Sequence, residues 1–266
     1  MPTGESLGDH IEEVAKQYGK PGEPDYHNNL GNAHRARGEW QEALREYREA
    51  VRLNPADAMF HCNLASMLAQ AGKPEEAARE YDEALRLDPH DYETWFNRGN
   101  LLAGQGRGAE AAASFQRAIE VEPDRPEGYA NLASLYWEGH QWEEAIASYE
   151  SALARHLQPP AATVARSRLG VIYVERGIWK KAEEHLLAAL EQAPDDFMVN
   201  YCLAIVYLNI DWGELEWAAR SKALLFAGKA AEIDPQDEDA QRLAQAALAV
   251  FQKVKQPPAA PPNEPA

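Results

Sequence analysis

Residues 92–125 read YETWFNRGNLLAGQGRGAEAAASFQRAIEVEPDR, and the spacing inside that stretch decides the architecture of the chain. Trp95, Gly99 and Leu102 stand at helical intervals in its first half, and Ala111, Phe115 and Ala118 do so in its second. Residues three and four apart share one face of an α-helix, so each half predicts an amphipathic helix. Gly106 marks a turn between them, and Pro123 closes the stretch because proline cannot extend a helix. The unit is a helical hairpin.

The same pattern extends in both directions. Ala43, Ala77, Ala111 and Ala145 lie 34 residues apart, followed by Ala182 after 37 and Ala223 after 41. Seven residues beyond each stands another alanine: Ala50, Ala84, Ala118, Ala152, Ala189 and Ala230. A closing proline follows in five of the six units, at Pro55, Pro89, Pro123, Pro194 and Pro235. Upstream of the first alanine, Gly31, Ala65, Gly99, Ala133, Gly170 and Ala204 hold a matching place in the first helix. Small residues at helix crossings let two backbones approach, and a neighbouring Tyr, Phe or Leu fills the gap. One hairpin cannot bury its apolar face alone, whereas stacked hairpins share a continuous core. The expected units are 24–57, 58–91, 92–125, 126–159, 163–196 and 197–237.

These residues resemble the tetratricopeptide repeat family. Repeat one shows the pattern as Leu30, Gly31, Ala43, Tyr47, Ala50 and Pro55, and the resemblance covers roughly residues 24–235. It implies an all-α, right-handed solenoid of about six helix-turn-helix repeats, whose first helices line a concave face that binds protein or peptide. Two places depart from the period. Leu157 stands where repeat four should have its proline, and three extra residues follow, which predicts a local break or a change in superhelical pitch. Repeat six gains seven residues around 211–221, which predicts lengthened helices or a protruding turn carrying Trp212 and Trp217.

The ends read as caps. Residues 238–255 (Leu243, Ala247, Leu248, Phe251) form an amphipathic capping helix, and the Pro-rich 256–266 should be disordered. Residues 1–23 carry a short apolar stripe, Ile11, Val14, Ala15 and Tyr18, behind the capping pair Asp9 and Glu12. This arm is either an N-terminal cap helix or a pseudo-ligand lying in the protein's own groove.

Composition limits the function. The chain of 266 residues has 26 Lys and Arg against 43 Asp and Glu, a formal charge of −17. Such a surface repels a phosphate backbone, so neither nucleic acid nor an anionic membrane is an expected partner. No signal-like or bilayer-length apolar run is present, and the two cysteines, Cys62 and Cys202, show no metal-ligand spacing. A cytoplasmic location is expected, with no cofactor and no metal. The eight histidines are scattered and GQGRG at 104–108 lacks the strand and the lysine of a phosphate loop, so no catalytic constellation emerges.

Binding residues are therefore sought on the first helices. Asn29, Asn63, Asn97 and Asn131 recur at 34-residue intervals, with Asn32, Ser66, Asn100 and Ser134 three places further on. An asparagine offers both a donor and an acceptor, so a row of them suits the backbone of an extended peptide. The row resembles the asparagine ladder of the O-linked N-acetylglucosamine transferase superhelix, which implies the binding mode alone. The alternative is that these asparagines serve helix packing. A carboxylate clamp for chaperone tails is rejected for repeats one to three, where Glu93 and Asn97 replace the cations it needs; repeats three to five offer Arg168 alone. Further along, Val171, Val174, Tyr201, Ile205 and Leu208 are either covered by the C-terminal helix or form an apolar pocket continuous with Trp137. Trp40, Trp142 and Trp179 share one phase beside the inter-helix turn and read as packing residues. The expected function is a non-catalytic scaffold or adaptor that holds a partner polypeptide. The alternative is a structural building block that forms homo-oligomers.

Overall fold

The structure is a computed structural model that describes residues 20, 22–210, 213 and 216–254. Among these residues the secondary structure is thirteen α-helices and no strand. The chain forms two compact units, residues 1–135 and 136–266.

The first unit holds three hairpins, α1 (Pro24–Ala36) with α2 (Trp40–Leu53), α3 (Ala58–Gln70) with α4 (Pro74–Leu87), and α5 (Tyr92–Gly104) with α6 (Gly108–Val121). Helix α7 (Pro126–Glu138) begins in this unit and ends in the second. In the second unit, α8 (Trp142–Ala154) packs on α9 (Ala161–Glu175), which pairs with α10 (Trp179–Leu190). There α11 (Phe197–Asn209) pairs with α12 (Glu216–Ile233), and α13 (Glu238–Phe251) closes the described fold by packing on α12 and α11.

Local chemistry sets the ends of these helices. Proline stands in the first turn of α1 and α4, where its missing N–H goes unmissed. Aspartates cap α3, α5, α11 and α13: Asp57 accepts from the Met59 N–H, Asp91 from Thr94, Asp196 from Val199 and Asp237 from Ala240. The turns between paired helices share one hydrogen bond across six residues. The Glu39 N–H donates to the His34 carbonyl at 2.9 Å, and Lys73–Leu68, Arg107–Leu102, Gln141–Tyr136 and Ile178–Tyr173 copy it at 2.8–2.9 Å. Such a Schellman turn needs a left-handed residue, supplied by Gly38, Gly72, Gly106 and Gly177, and by His140 at φ 55° in the fourth hairpin.

Packing follows the small residues. Ala43, Ala77, Ala111, Ala145, Ala182 and Ala223 are all fully buried. A β-carbon on Gly31 would lie 2.8 Å from the Tyr47 ring, and one on Gly99 would lie 2.6 Å from the Phe115 ring. The two helices of each hairpin meet at these points, and burying each large side chain there contributes about 1.5–3 kcal/mol. At the far end Ala204, Ala227 and Ala247 form a cluster joined by Leu208 and Leu243. The C-terminal helix thus covers Leu208. Trp217 is half-buried, its ring 5.9 Å from that of Phe251, and does not project from a turn; the added length appears as the 18 residues of α12. Trp212, the apolar stripe of residues 1–19 and the tail after 254 lie outside the described residues.

Gly99→Ala should lower stability by about 1–3 kcal/mol in urea melts, because crowding a close-packed ring outweighs the gain in helix propensity. In a Phe115→Leu background the same change should be neutral or better. Burial pushes the phenols of Tyr81 and Tyr92 up to about 12. Unfolded, they ionise near about pH 10, so above that value the unfolded chain gives up protons that the folded chain keeps. The urea midpoint should therefore hold below about pH 10 and decline as the pH is raised towards 12.

Candidate functional site

The six asparagines of interest all lie in the first unit, on α1, α3, α5 and α7, and the structure divides them into two kinds. Asn63 donates to the Asn28 amide oxygen at 2.8 Å, tying α3 to α1, and Asn28 is buried at 3% exposure. Asn131 donates to the Asn100 amide oxygen at 2.7 Å, tying α7 to α5. Asn32 accepts from the Tyr47 hydroxyl at 2.7 Å. These five asparagines hold neighbouring helices together, which spends part of their hydrogen-bonding capacity. Asn29 and Asn97 make no side-chain hydrogen bond among the described residues, and Asn100 keeps its amide N–H groups beyond the bond it accepts.

One rule orders these partners. In the first two repeats the aromatic residue of the second helix is a tyrosine, and it pairs with the residue fifteen places earlier on the first helix: Tyr47 with Asn32, and Tyr81 with Ser66 at 3.0 Å. In the third repeat that aromatic residue is Phe115, which has no hydroxyl. Asn100, fifteen places before it, is therefore free to accept from Asn131.

Asn97 and Asn100 line an open pocket of about 500 Å3 between α3 and α5. Tyr81 and Ser66 bring their paired hydroxyls to it, Ala69, Pro74 and Leu101 give apolar walls, and Gln70 and Gln105 add two further amides. None of its lining residues is charged. Sequence periodicity marked the asparagines but missed this cavity. The signal was present as Ala69 and Pro74, which replace Arg35 and Trp40 of the first repeat.

The cations nearby are engaged. Arg98 donates to Asp82 at 2.9 Å and to the Ser114 hydroxyl at 2.8 Å. Arg125 donates to Glu93 at 2.6 Å and lies 3.8 Å over the Tyr92 ring.

In the second unit the Arg168 guanidinium lies 5.6 Å over the Trp137 ring and donates to the Tyr149 hydroxyl at 2.6 Å. Trp137 also meets Trp142 edge to face at 5.3 Å. Tyr201 is separate from this group, its ring stacked on Phe197 at 5.8 Å. Val171, Val174 and Ile205 are half-buried. The three sequence-selected residues of this unit thus form a Trp–Arg pair and a lone tyrosine.

Reactive chemistry is sparse. Cys62 and Cys202 are free and buried, and burial pushes both thiols up, that of Cys202 to about 12, away from the thiolate a nucleophile needs. Among the described residues no cluster of His, Cys, Asp and Glu could hold a metal ion, and no helix is long and apolar enough to cross a membrane.

Residues 9–58, 28–91, 62–128 and 130–197 match the family model described as tetratricopeptide repeat. No curated protein matches by sequence. Among solved structures the chain is similar to YrrB, described as a TPR protein with an unusual peptide-binding site, at 24% identity over 76% of this chain and 97% of that one, TM-score 0.62. It is also similar to PilF of Pseudomonas aeruginosa, at 18% identity over 88% and 98%, TM-score 0.66. PilW, a widely conserved type IV pilus biogenesis factor, is similar at 18% identity over 75% and 100%, TM-score 0.60. At these identities the likeness establishes the all-α repeat solenoid fold and nothing further.

The two kinds of asparagine should separate in stability measurements. Asn63→Ala leaves the buried Asn28 oxygen without its donor and should cost about 1–3 kcal/mol. Asn97→Ala should stay within about 0.5 kcal/mol of the parent. Urea denaturation followed by circular dichroism reads both.

Proposed function

Because the chain belongs to the tetratricopeptide repeat family, we propose that it is a non-catalytic scaffold whose first-helix face holds a segment of a partner polypeptide. The observation that carries this reading is the pocket between α3 and α5, where Asn97 and Asn100 keep amide groups available beside apolar walls. A peptide in extended form presents N–H and C=O groups in alternation, and an asparagine amide can meet one of each. Each such bond adds about 0.5–1.5 kcal/mol, so affinity comes from several together. The straps Asn28–Asn63 and Asn100–Asn131 hold successive first helices in register, so the face is formed before the partner arrives.

The formal charge of −17 favours a neutral or basic partner segment and disfavours nucleic acid. Two free, buried cysteines fit a reducing compartment, in keeping with a cytoplasmic location. The Trp137–Arg168 pair and Tyr201 are further contact points within the second unit.

Panning a displayed random-peptide library on the full chain tests the reading. Recovered peptides should bind the Asn97→Ala, Asn100→Ala double variant about tenfold or more weakly, equivalent to losing one to three hydrogen bonds, with helicity unchanged. A library that yields no enriched peptide, or peptides indifferent to the double change, would defeat it.

A further inference from the structure

The pocket between α3 and α5 differs from the step before it at two positions and from the step after it at two others. Ala69 and Pro74 stand where the first repeat has Arg35 and Trp40, so the space that those larger side chains would occupy is open. Its hydroxyl pair, Ser66 with Tyr81, is lost one repeat later, where Phe115 stands in place of Tyr81. Gly104, which leaves its mouth unobstructed, is replaced one repeat later by Glu138. A neutral, open, hydroxyl-bearing pocket therefore arises at this step of the period.

We propose that this pocket is the anchor subsite of the partner groove and that it takes an uncharged aromatic side chain with a hydrogen-bonding tip, tyrosine foremost. The proposal rests on the groove reading above and adds the class of side chain. Leu101, Ala69 and Pro74 offer apolar surface to a flat ring, while Ser66, Tyr81 and Asn97 present polar groups for a phenol to meet. A phenylalanine would fill the same space but leave the Asn97 amide unmet, and could add nothing to the Ser66–Tyr81 pair, which is the basis for discrimination. A lysine or arginine would lose its hydration where no carboxylate lines the pocket. A phosphotyrosine would bring close to two negative charges to an uncharged pocket in a chain of net charge −17, and so is excluded.

The test uses the full chain labelled with nitrogen-15 and follows the side-chain amide resonances of Gln70, Asn97, Asn100 and Gln105. N-acetyl-tyrosinamide should shift these signals saturably, with a dissociation constant on the order of 1 mM. N-acetyl-phenylalaninamide should bind at least threefold more weakly, and N-acetyl-O-phosphotyrosinamide and N-acetyl-lysinamide should give no saturable shift. The double variant Ala69→Arg, Pro74→Trp, which copies the first repeat, should abolish the response to the tyrosine probe. Asn97→Ala, expected to fold like the parent, should weaken it and serves as the second variant if the filled one melts early. Absent shifts, equal binding of the phenylalanine or phosphotyrosine probe, or a response that survives filling of the pocket would each overturn the subsite. Library peptides that bind while the tyrosine probe leaves these amides unmoved would sink the subsite and spare the groove. A responding pocket with no enriched peptide would do the reverse.

Discussion

Close approach of two helices at a glycine or alanine is the constraint on which each hairpin depends. Where Gly31 faces Tyr47 and Gly99 faces Phe115, a single added carbon would overlap the ring. The buried alanines of the second helices let the opposite backbone come as near. A hairpin so joined still exposes one apolar face on each side, and that face has no partner except the next hairpin. Stacking is thus a consequence of how little each unit can bury alone.

Within this frame, crossing positions and neighbouring phases both vary in residue type, and the variation has chemical consequences. Tyrosine to phenylalanine at position 115 removes one hydroxyl and redirects Asn100 from its own repeat to the next. Arginine to alanine at position 69 and tryptophan to proline at position 74, relative to the first repeat, leave an open cavity. In each case a change that leaves the helical frame intact decides which polar groups are bound internally and which face outward.

Much of this was legible in the sequence because the period registers packing. The alanines, the closing prolines and the turn glycines each answer a steric demand that recurs at every unit, so the helical repeat class could be read without coordinates. His140 in place of a turn glycine shows the limit of residue type as a signal, since the backbone there takes the left-handed form regardless. The asparagine row was visible as a spacing, but spacing does not say where an amide's hydrogen bonds go. Asn63 and Asn97 occupy the same phase, yet one is tied to a buried neighbour and the other is not. That difference depends on Asn28, which has Cys62 at its equivalent place in the next repeat. The pocket was missed for a similar reason. It depends on which side chains from three helices meet around one space, and a single spacing does not show that.

Charge and pocket chemistry then act at different ranges. Many exposed carboxylates sit in pairs such as Arg52–Glu49 and Arg86–Glu83, three residues apart on second helices, where solvent screens them and they add little to stability. Their excess over the cations is a long-range field that favours the approach of a basic or neutral chain and falls away within about 10 Å at moderate salt. At contact, a pocket lined only by uncharged residues is nearly blind to that field's sign and selects on shape and hydrogen bonding instead. Attraction from a distance and choice at close range are thereby separated, so salt should act on the rate of encounter far more than on which side chain the pocket prefers.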